Sequence, residues 1–105
     1  MIKDWNIEEL TGYCPLTTYY TDFSIAEKWG NNAIKDTYKQ AMENWKEDYK
    51  YLTEIVMVLN WKMWEHSENN IELSRLYQKL WEEARDYAEK HLKGDELSYY
   101  YRTTD

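Results

Sequence analysis

The fold is decided by residues 33–66, which read AIKDTYKQAMENWKEDYKYLTEIVMVLNWKMWEH. This stretch contains no glycine and no proline, and Asn31 or Asn32 stands before it as a possible N-terminal cap. Its apolar residues recur at alternating steps of four and three, a heptad seam on one side of an α-helix. The seam comprises Tyr38, Met42, Trp45, Tyr49, Leu52, Val56, Leu59 and Met63, widened by Ile34, Ala41 and Ile55. We therefore predict a long amphipathic helix over about 33–66.

A second helix is predicted over about 70–93. Asn69 and Asn70 offer N-terminal caps, and Glu72 follows Asn69 by three residues, as in a capping box. Gly94 is a suitable C-terminal stop. The apolar seam comprises Leu73, Leu76, Tyr77, Leu80, Ala84, Tyr87 and Leu92. Because the connection over residues 66–70 is short, the two helices are expected to be antiparallel neighbours. The predicted fold class is all-α, built on an antiparallel helical hairpin.

The two predicted helices differ in length. At 1.5 Å per residue the first would be roughly 50 Å long and the second roughly 36 Å. Either the first helix is kinked or broken near Asp48, or its N-terminal part packs on something else. The candidates for that packing are residues 1–32 and a second copy of the chain.

Residues 1–32 are expected to be irregular, with one short helix. Turn-forming residues stand at 11–15, and Thr17–Tyr20 is read as extended. Asp22 or Ser24 would cap a short helix that ends near Trp29. No linker or internal repeat divides the sequence, so residues 1–105 are predicted to form a single helical domain.

Both predicted helices carry more apolar surface than a two-helix hairpin can bury. The first has a second stripe in Met57, Trp61 and Trp64, and the second has a flank with Tyr77 and Trp81. These five residues are the candidate interface. They are covered either by a partner protein or second copy, or by the ends of the chain. The covering residues would be Trp5, Ile7, Leu10 and an aromatic C-terminal tail of Leu97 and Tyr99–Tyr101.

Charge and composition exclude some functions. The chain has 13 basic and 20 acidic residues, a net charge of −7, which disfavours direct binding of a nucleic-acid backbone. A single cysteine allows no internal disulfide and fits a reducing compartment. The most apolar run, residues 55–59, is far shorter than the roughly 20 residues that span a membrane. With no signal-like N-terminus, we expect a cytoplasmic protein that does not enter the membrane.

No catalytic, cofactor or metal site is predicted. Cys14 is the only thiol, and His66 and His91 are the only imidazoles, so a Cys–His pocket is the one nucleophilic arrangement available. Nothing near Cys14 marks it as activated. The Glu-x-x-His pairs of di-iron bundles would need Glu at positions occupied by Met63 and Ala88.

Two polar residues stand out in the apolar part of the first helix. Glu54 beside Ile55 is the one carboxylate whose context would raise its pKa. Asn60 interrupts the apolar run, where it would join a buried polar network or remain exposed. The other carboxylates interleave with bases, as on a solvated helix face.

Several stretches of the chain, taken together, carry a family resemblance. They are Thr11–Tyr13 with Pro15 and Thr17–Thr18, Asp22–Ala26, Tyr49–Glu54 with Val56–Lys62, Leu92–Tyr99, and Tyr101–Asp105. These stretches resemble a family of small uncharacterised proteins, a domain of unknown function, carried by bacteriophages and mobile elements of gut bacteria. The resemblance spans most of the chain and implies expression from a mobile element inside a bacterial cell. It brings no catalytic residue, cofactor or substrate.

Three functions are compatible with the sequence. The first is a non-enzymatic phage or mobile-element accessory protein that acts through protein–protein interaction, with excess Tyr and Trp supplying the contact surface. The second is an acidic inhibitor of a host nucleic-acid enzyme or defence system, which would need a continuous acidic face. The third is a small enzyme with a Cys/His pocket.

Overall fold

The computed structural model describes residues 15–104, and the side chains of residues 20–104. Within this range the chain forms five helices and no strand, which confirms the all-α class. The helices are α1 (Pro15–Ala26), α2 (Asn31–Trp45), α3 (Tyr49–Glu65), α4 (Ile71–His91) and α5 (Asp95–Thr104). None of these described helices is both long enough and apolar enough to cross a bilayer.

The stretch over residues 33–66 is two helices that meet at Lys46–Asp48. Asp48 is the N-cap of α3, and its side chain accepts a hydrogen bond from the Lys50 amide at 3.1 Å. A carboxylate at this position stabilises a helix start because the first backbone N–H groups have no partner within the helix. The longest dimension of the molecule is 36 Å, which a straight helix of roughly 50 Å would exceed. The break lets α2 turn back and pack on α1, α3 and α4.

The core lies mainly between α3 and α4, the most extensive helix pair. Leu52 and Leu59 on α3 are fully buried, and so are Ala84 and Ala88 on α4. The small alanine side chains allow the backbones to approach closely. Near the connection between the two helices, the Ser74 hydroxyl donates to the Met63 carbonyl at 2.8 Å. The central residues of the two predicted seams are thus buried, with Leu52, Val56 and Leu59 on α3 and Leu80 and Ala84 on α4.

Helix α1 departs from the sequence prediction. Thr17–Tyr20, expected to be extended, is part of the helix, and Asp22 and Ser24 lie inside it instead of capping it. Pro15 is its first residue, where the fixed φ suits a helix and the missing N–H has no cost. Phe23 is only 1% exposed and packs edge-on against Tyr77. Burial of the face of α1 that carries Phe23 outweighs the weak local preference of threonine and tyrosine for an extended backbone. The expectations for residues 1–14 lie outside the described residues.

The start of α2 was also assigned to the wrong residue. Neither Asn31 nor Asn32 caps it: the N-cap is Gly30, with φ 111° and ψ 177° and no side-chain hydrogen bond. Only glycine adopts this backbone conformation without strain. Gly30 accepts hydrogen bonds from the amides of Ala33 and Ile34 and reverses the chain between α1 and α2.

The predicted aromatic tail is the helix α5. Gly94, at φ 61°, lets the chain turn after α4, and its carbonyl accepts from the Ser98 amide at 3.0 Å. Tyr100 is 2% exposed against α3 and α4, and Tyr99 packs edge-on against Tyr49. Acidic residues in the first turn of α5 and Arg102 in the last suit the helix dipole. These charges are the local signal that the tail prediction overlooked.

The N-cap of α4 provides a test, because the sequence offered two adjacent asparagines. The Asn70 side chain accepts from the Leu73 amide at 3.1 Å. Asn70→Ala is therefore expected to lower the free energy of unfolding by about 1 kcal/mol, whereas Asn69→Ala leaves it within about 0.3 kcal/mol. Urea denaturation followed by circular dichroism measures both. Equal losses for the two variants would contradict the assignment of the cap.

Candidate functional site

A fully buried lysine lies at the junction of α1, α3 and α4. The side chain of Lys62, near the end of α3, is 0% exposed. Its Nζ lies 2.9 Å from Glu27 Oε2, 3.3 Å from Glu65 Oε2 and 3.0 Å from Ser24 Oγ. An ammonium group has three protons to donate, and three acceptors surround it. We call these residues, together with Tyr20, His66 and Tyr77, the Lys62 cluster.

Glu27 connects the members of the cluster. Besides Lys62, its Oε2 accepts from the Tyr77 hydroxyl at 2.6 Å and lies 3.1 Å from His66 Nε2. Because a carboxylate only accepts, the proton in that contact is assigned to Nε2. Burial alone would raise the pKa of Glu27, but the hydrogen bonds from Tyr77, Lys62 and His66 hold that pKa below its usual value. Glu27 is therefore an anion that joins the end of α1 to α3 and α4.

Two tyrosines complete the cluster. The Tyr20 hydroxyl donates to Glu65, and the Tyr20 ring lies 4.7 Å from Lys62 Nζ, a cation–π distance. Burial, followed by the bond to Glu65, raises the pKa of Tyr20 to about 12. Burial and the bond to Glu27 raise the pKa of Tyr77 as well. Both phenols are therefore neutral hydrogen-bond donors at physiological pH.

The Lys62 cluster contains residue types found in active sites, but its geometry is closed. A lysine that acts as a base or nucleophile needs a free lone pair and access to substrate. Lys62 has no exposed surface, and its protons are matched by neighbouring acceptors. The arrangement is that of a buried ion pair with its hydrogen bonds satisfied, which holds α1 in place.

Removing one charge tests this structural role. Among the described side chains, Glu27→Gln leaves the Lys62 ammonium with Glu65 as its one anionic partner, so we expect a loss of about 3 kcal/mol in the free energy of unfolding. Glu43→Gln is the matched control, because Glu43 forms an exposed ion pair with Lys46 at 3.6 Å, and we expect a change below about 0.5 kcal/mol. Urea denaturation at pH 7 measures both. A Glu27→Gln change as small as that of the control would mean that the cluster does not hold α1.

Glu54 has the raised pKa that its sequence context predicts. Burial, followed by repulsion from Asp48, raises its pKa from 4.5 to about 7, and Lys50 opposes the shift. Glu54 lines neither of the two main surface grooves of the protein. Because burial disfavours the charged form of Glu54, ionisation of this carboxyl group lowers the free energy of unfolding.

The raised pKa of Glu54 predicts a pH dependence. Between pH 4.5 and 7 the native state binds more protons at Glu54 than the unfolded state, so the free energy of unfolding falls as pH rises. The fall is at most about 3 kcal/mol. Glu27, with its lowered pKa, acts in the opposite sense at more acidic pH, where its protonation removes stability.

Urea denaturation at pH 5, 6, 7 and 8 measures this effect. Glu54→Gln is expected to remove most of the decline that the unsubstituted protein shows between pH 5 and 7, because the amide does not ionise. Glu47→Gln, an exposed position seven residues earlier, serves as the control and should keep the decline. If the free energy of unfolding of Glu54→Gln still falls between pH 5 and 7, the fall is caused by another titrating group.

A cavity of about 440 Å³ opens between α3, α4 and α5. We call it the aromatic groove. Its wall contains Trp61 from α3, Trp81 from α4 and Tyr101 from α5. Arg85 lies over the Trp81 ring, with its guanidinium carbon 4.6 Å from the ring centroid. The full lining is Val56, Met57, Asn60, Trp61, Trp81, Arg85, Glu89, Tyr100, Tyr101, Thr103 and Thr104.

The five residues predicted as an interface divide into two groups. Met57, Trp61 and Trp81 line the aromatic groove, and Trp64, 65% exposed, continues the same face of α3 by one turn. Tyr77 does not belong to this surface. It is 0% exposed, and its hydroxyl bonds Glu27 in the Lys62 cluster. A seam position and a flank position coincide at Tyr77, and the packing of α1 buries it.

Sequence reasoning missed several residues at both places. The sequence gives no sign that Lys62 is buried, because lysine is almost never fully buried and its partner Glu27 is 35 residues away in sequence. Arg85 joins the groove only because α5 folds back on α3 and α4, whereas Tyr101 belongs to the aromatic tail that the sequence predicts as a cover for these stripes. Asn60 was noticed as a polar interruption, and it lines the groove.

The cysteine and the two histidines considered for catalysis do not come together in the part of the chain that the structure describes. Cys14 lies outside the described residues, so its distance to either histidine is not defined. His66 belongs to the Lys62 cluster, and His91 stacks on Tyr87 with ring centroids 4.0 Å apart. Among the described residues, no three His, Cys, Asp or Glu side chains are arranged to hold a metal ion.

Comparisons of this chain with protein-family models, curated proteins and solved structures found no match. The geometry of the Lys62 cluster and of the aromatic groove is therefore the basis for a functional assignment.

Proposed function

We propose that this protein is a non-enzymatic accessory protein that binds another protein through the aromatic groove. The observation that carries the proposal is the groove itself, which remains open after α3, α4 and α5 have packed together. Trp64 is 65% exposed beside it and Tyr101 is 42% exposed on its wall. Large aromatic side chains left at the surface around a concave site are typical of interaction surfaces.

The chemistry of the groove suits a protein partner. Trp, Tyr and Arg are the residue types most enriched among interface positions that carry binding energy. Trp61, Trp81 and Tyr101 offer apolar area with polar edges, and Arg85 is held in place by its contact with the Trp81 ring. Asn60 from α3 and Glu89 from α4 add hydrogen-bonding groups to the lining. A partner segment with an apolar anchor and a few polar groups would match this lining.

The non-enzymatic part of the proposal has separate support. The described residues that line the groove include no serine, cysteine, histidine or lysine, so the lining holds no Ser–His pair, no Cys–His pair and no lysine for covalent catalysis. The Lys62 cluster, which contains residue types suited to proton transfer, is closed to solvent at its lysine.

The proposed setting is the cytoplasm of a bacterial cell that carries a phage or mobile element. Its support is the resemblance of residues 49–62 and 92–105 to small mobile-element proteins, together with the single cysteine. A host protein or another product of the same element is then the expected partner.

Affinity capture tests the proposal. The tagged protein is incubated with lysate of an element-bearing gut bacterium, and recovered proteins are quantified by mass spectrometry. We expect at least one protein to be recovered by the unsubstituted chain and to decrease at least tenfold with Trp64→Ala combined with Tyr101→Ala, which removes two exposed anchors. Both side chains are exposed, so the fold should be retained, and circular dichroism checks this.

Trp29→Ala is the matched control. Trp29 is 79% exposed and lies in the turn between α1 and α2, away from the groove. A protein whose recovery depends on Trp29 but not on Trp64 and Tyr101 would contradict the proposed surface. Light scattering on the pure chain distinguishes the alternative occupant, since a homodimer lost in the Trp64 and Tyr101 variant would assign the groove to a second copy.

A further inference from the structure

A second groove lies on the other side of α4. It runs between α2 and α4, encloses about 710 Å³, and we call it the lysine groove. Its lining residues on α4 and those of the aromatic groove are on nearly opposite faces of that helix, at 100° per residue. The two surfaces are therefore separate, and this inference does not depend on the proposed function.

The charge of the lysine groove is opposite to that of the molecule. The chain as a whole carries −7, yet four lysines and only two glutamates line this groove. Lys46 pairs with Glu43 at 3.6 Å. Among the described side chains, no carboxylate forms an ion pair with Lys35, Lys39 or Lys79. Three ammonium groups therefore border the groove without a counter-charge in contact.

The floor between these lysines is apolar. Tyr38 and Met42 from α2 and Leu76 from α4 line it and are half-buried, and the chain as described provides no further cover for them. An occupant must therefore satisfy two requirements at once: an apolar face for the floor and negative charge for the rim.

The spacing of the lysines matches a helix. Lys35 and Lys39 on α2 and Lys46, its C-cap, lie within about 40° of one another around the helix axis and extend along about 16 Å, roughly three turns. Lys79 stands on the opposite wall, on α4. A helix of about 12 residues laid along α2 would bring carboxylates at helical spacing opposite Lys35 and Lys39. Its apolar stripe would face the floor, the helix-in-groove mode of recognition.

We propose that the lysine groove binds an acidic amphipathic helix of a partner protein. The apolar face of that helix packs on Tyr38, Met42 and Leu76, and its carboxylates pair with Lys35, Lys39 and Lys79. A nucleic-acid backbone lacks the apolar stripe. An anionic membrane extends beyond the groove and would meet the rest of a chain whose overall net charge is −7, whereas a single helix contacts the groove alone.

The probe is a synthetic 14-residue helical peptide with leucines on one stripe and glutamates along both flanks, labelled with fluorescein. Two matched peptides accompany it, one with every glutamate replaced by lysine and one with the same composition in scrambled order. Fluorescence anisotropy is measured against the full chain at low ionic strength. We expect the acidic amphipathic peptide to bind at least tenfold more tightly than either matched peptide.

Lys35→Glu combined with Lys39→Glu should weaken that binding at least tenfold. Lys90→Glu combined with Lys93→Glu makes the same change of net charge at exposed positions outside the groove and should weaken it less than threefold. Circular dichroism confirms that each variant is folded. The same anisotropy assay with anionic phospholipid vesicles and with a short DNA duplex as competitors tests the other occupants.

Several results would overturn the proposal. They are no binding of the acidic peptide at millimolar protein, equal binding of the scrambled peptide, equal losses in the two double variants, or preferential displacement of the peptide by vesicles or DNA. Backbone amide shifts confined to residues 35–46 and 76–87 on titration with the peptide would support it directly.

Discussion

The ammonium group of a buried lysine must stay paired with acidic side chains, and the position of α1 depends on this requirement. Lys62 is 0% exposed, and two of its three acceptors, Ser24 and Glu27, are brought by α1 and the turn after it. An isolated ammonium in such a place is unfavourable by several kcal/mol, so Lys62 can be buried only when α1 is docked. The same docking buries Phe23 against Tyr77. Ionic and apolar contacts thus specify one arrangement of α1 on the α3–α4 pair.

The break between α2 and α3 at Asp48 shapes the surface of the protein. With α2 and α3 as separate helices, α2 folds back along α4 and creates the lysine groove. On the opposite face of α4, helix α5 returns over α3 and α4 and forms the aromatic groove. Helix α4 is therefore the shared wall of both, through Leu76 on one side and Trp81 on the other. A straight first helix would not have formed the lysine groove, because the α2 residues that line it could not have folded back along α4.

Local sequence signals predicted the helices that bury regular seams and failed where tertiary contacts decided the outcome. The seam of Leu52, Val56 and Leu59 was read correctly because helical periodicity is a property of neighbouring residues. Helix α5 was read as a tail because its ten residues are too few to show a clear seam, and its helix depends on burying Tyr100. The cluster at Lys62 could not be predicted, because its members come from three separate segments, residues 20–27, residues 62–66 and Tyr77.

Composition and short-range spacing are sufficient to predict the helical class, the seams of α3 and α4, and the second apolar stripe of Met57, Trp61 and Trp64. They are not sufficient to predict which of the candidate interface residues stay at the surface: Trp64 is exposed, whereas Tyr77 is buried beneath α1. The physical reason is that exposure depends on which distant helix covers a residue. That choice is made by the whole set of packed contacts and buried charges.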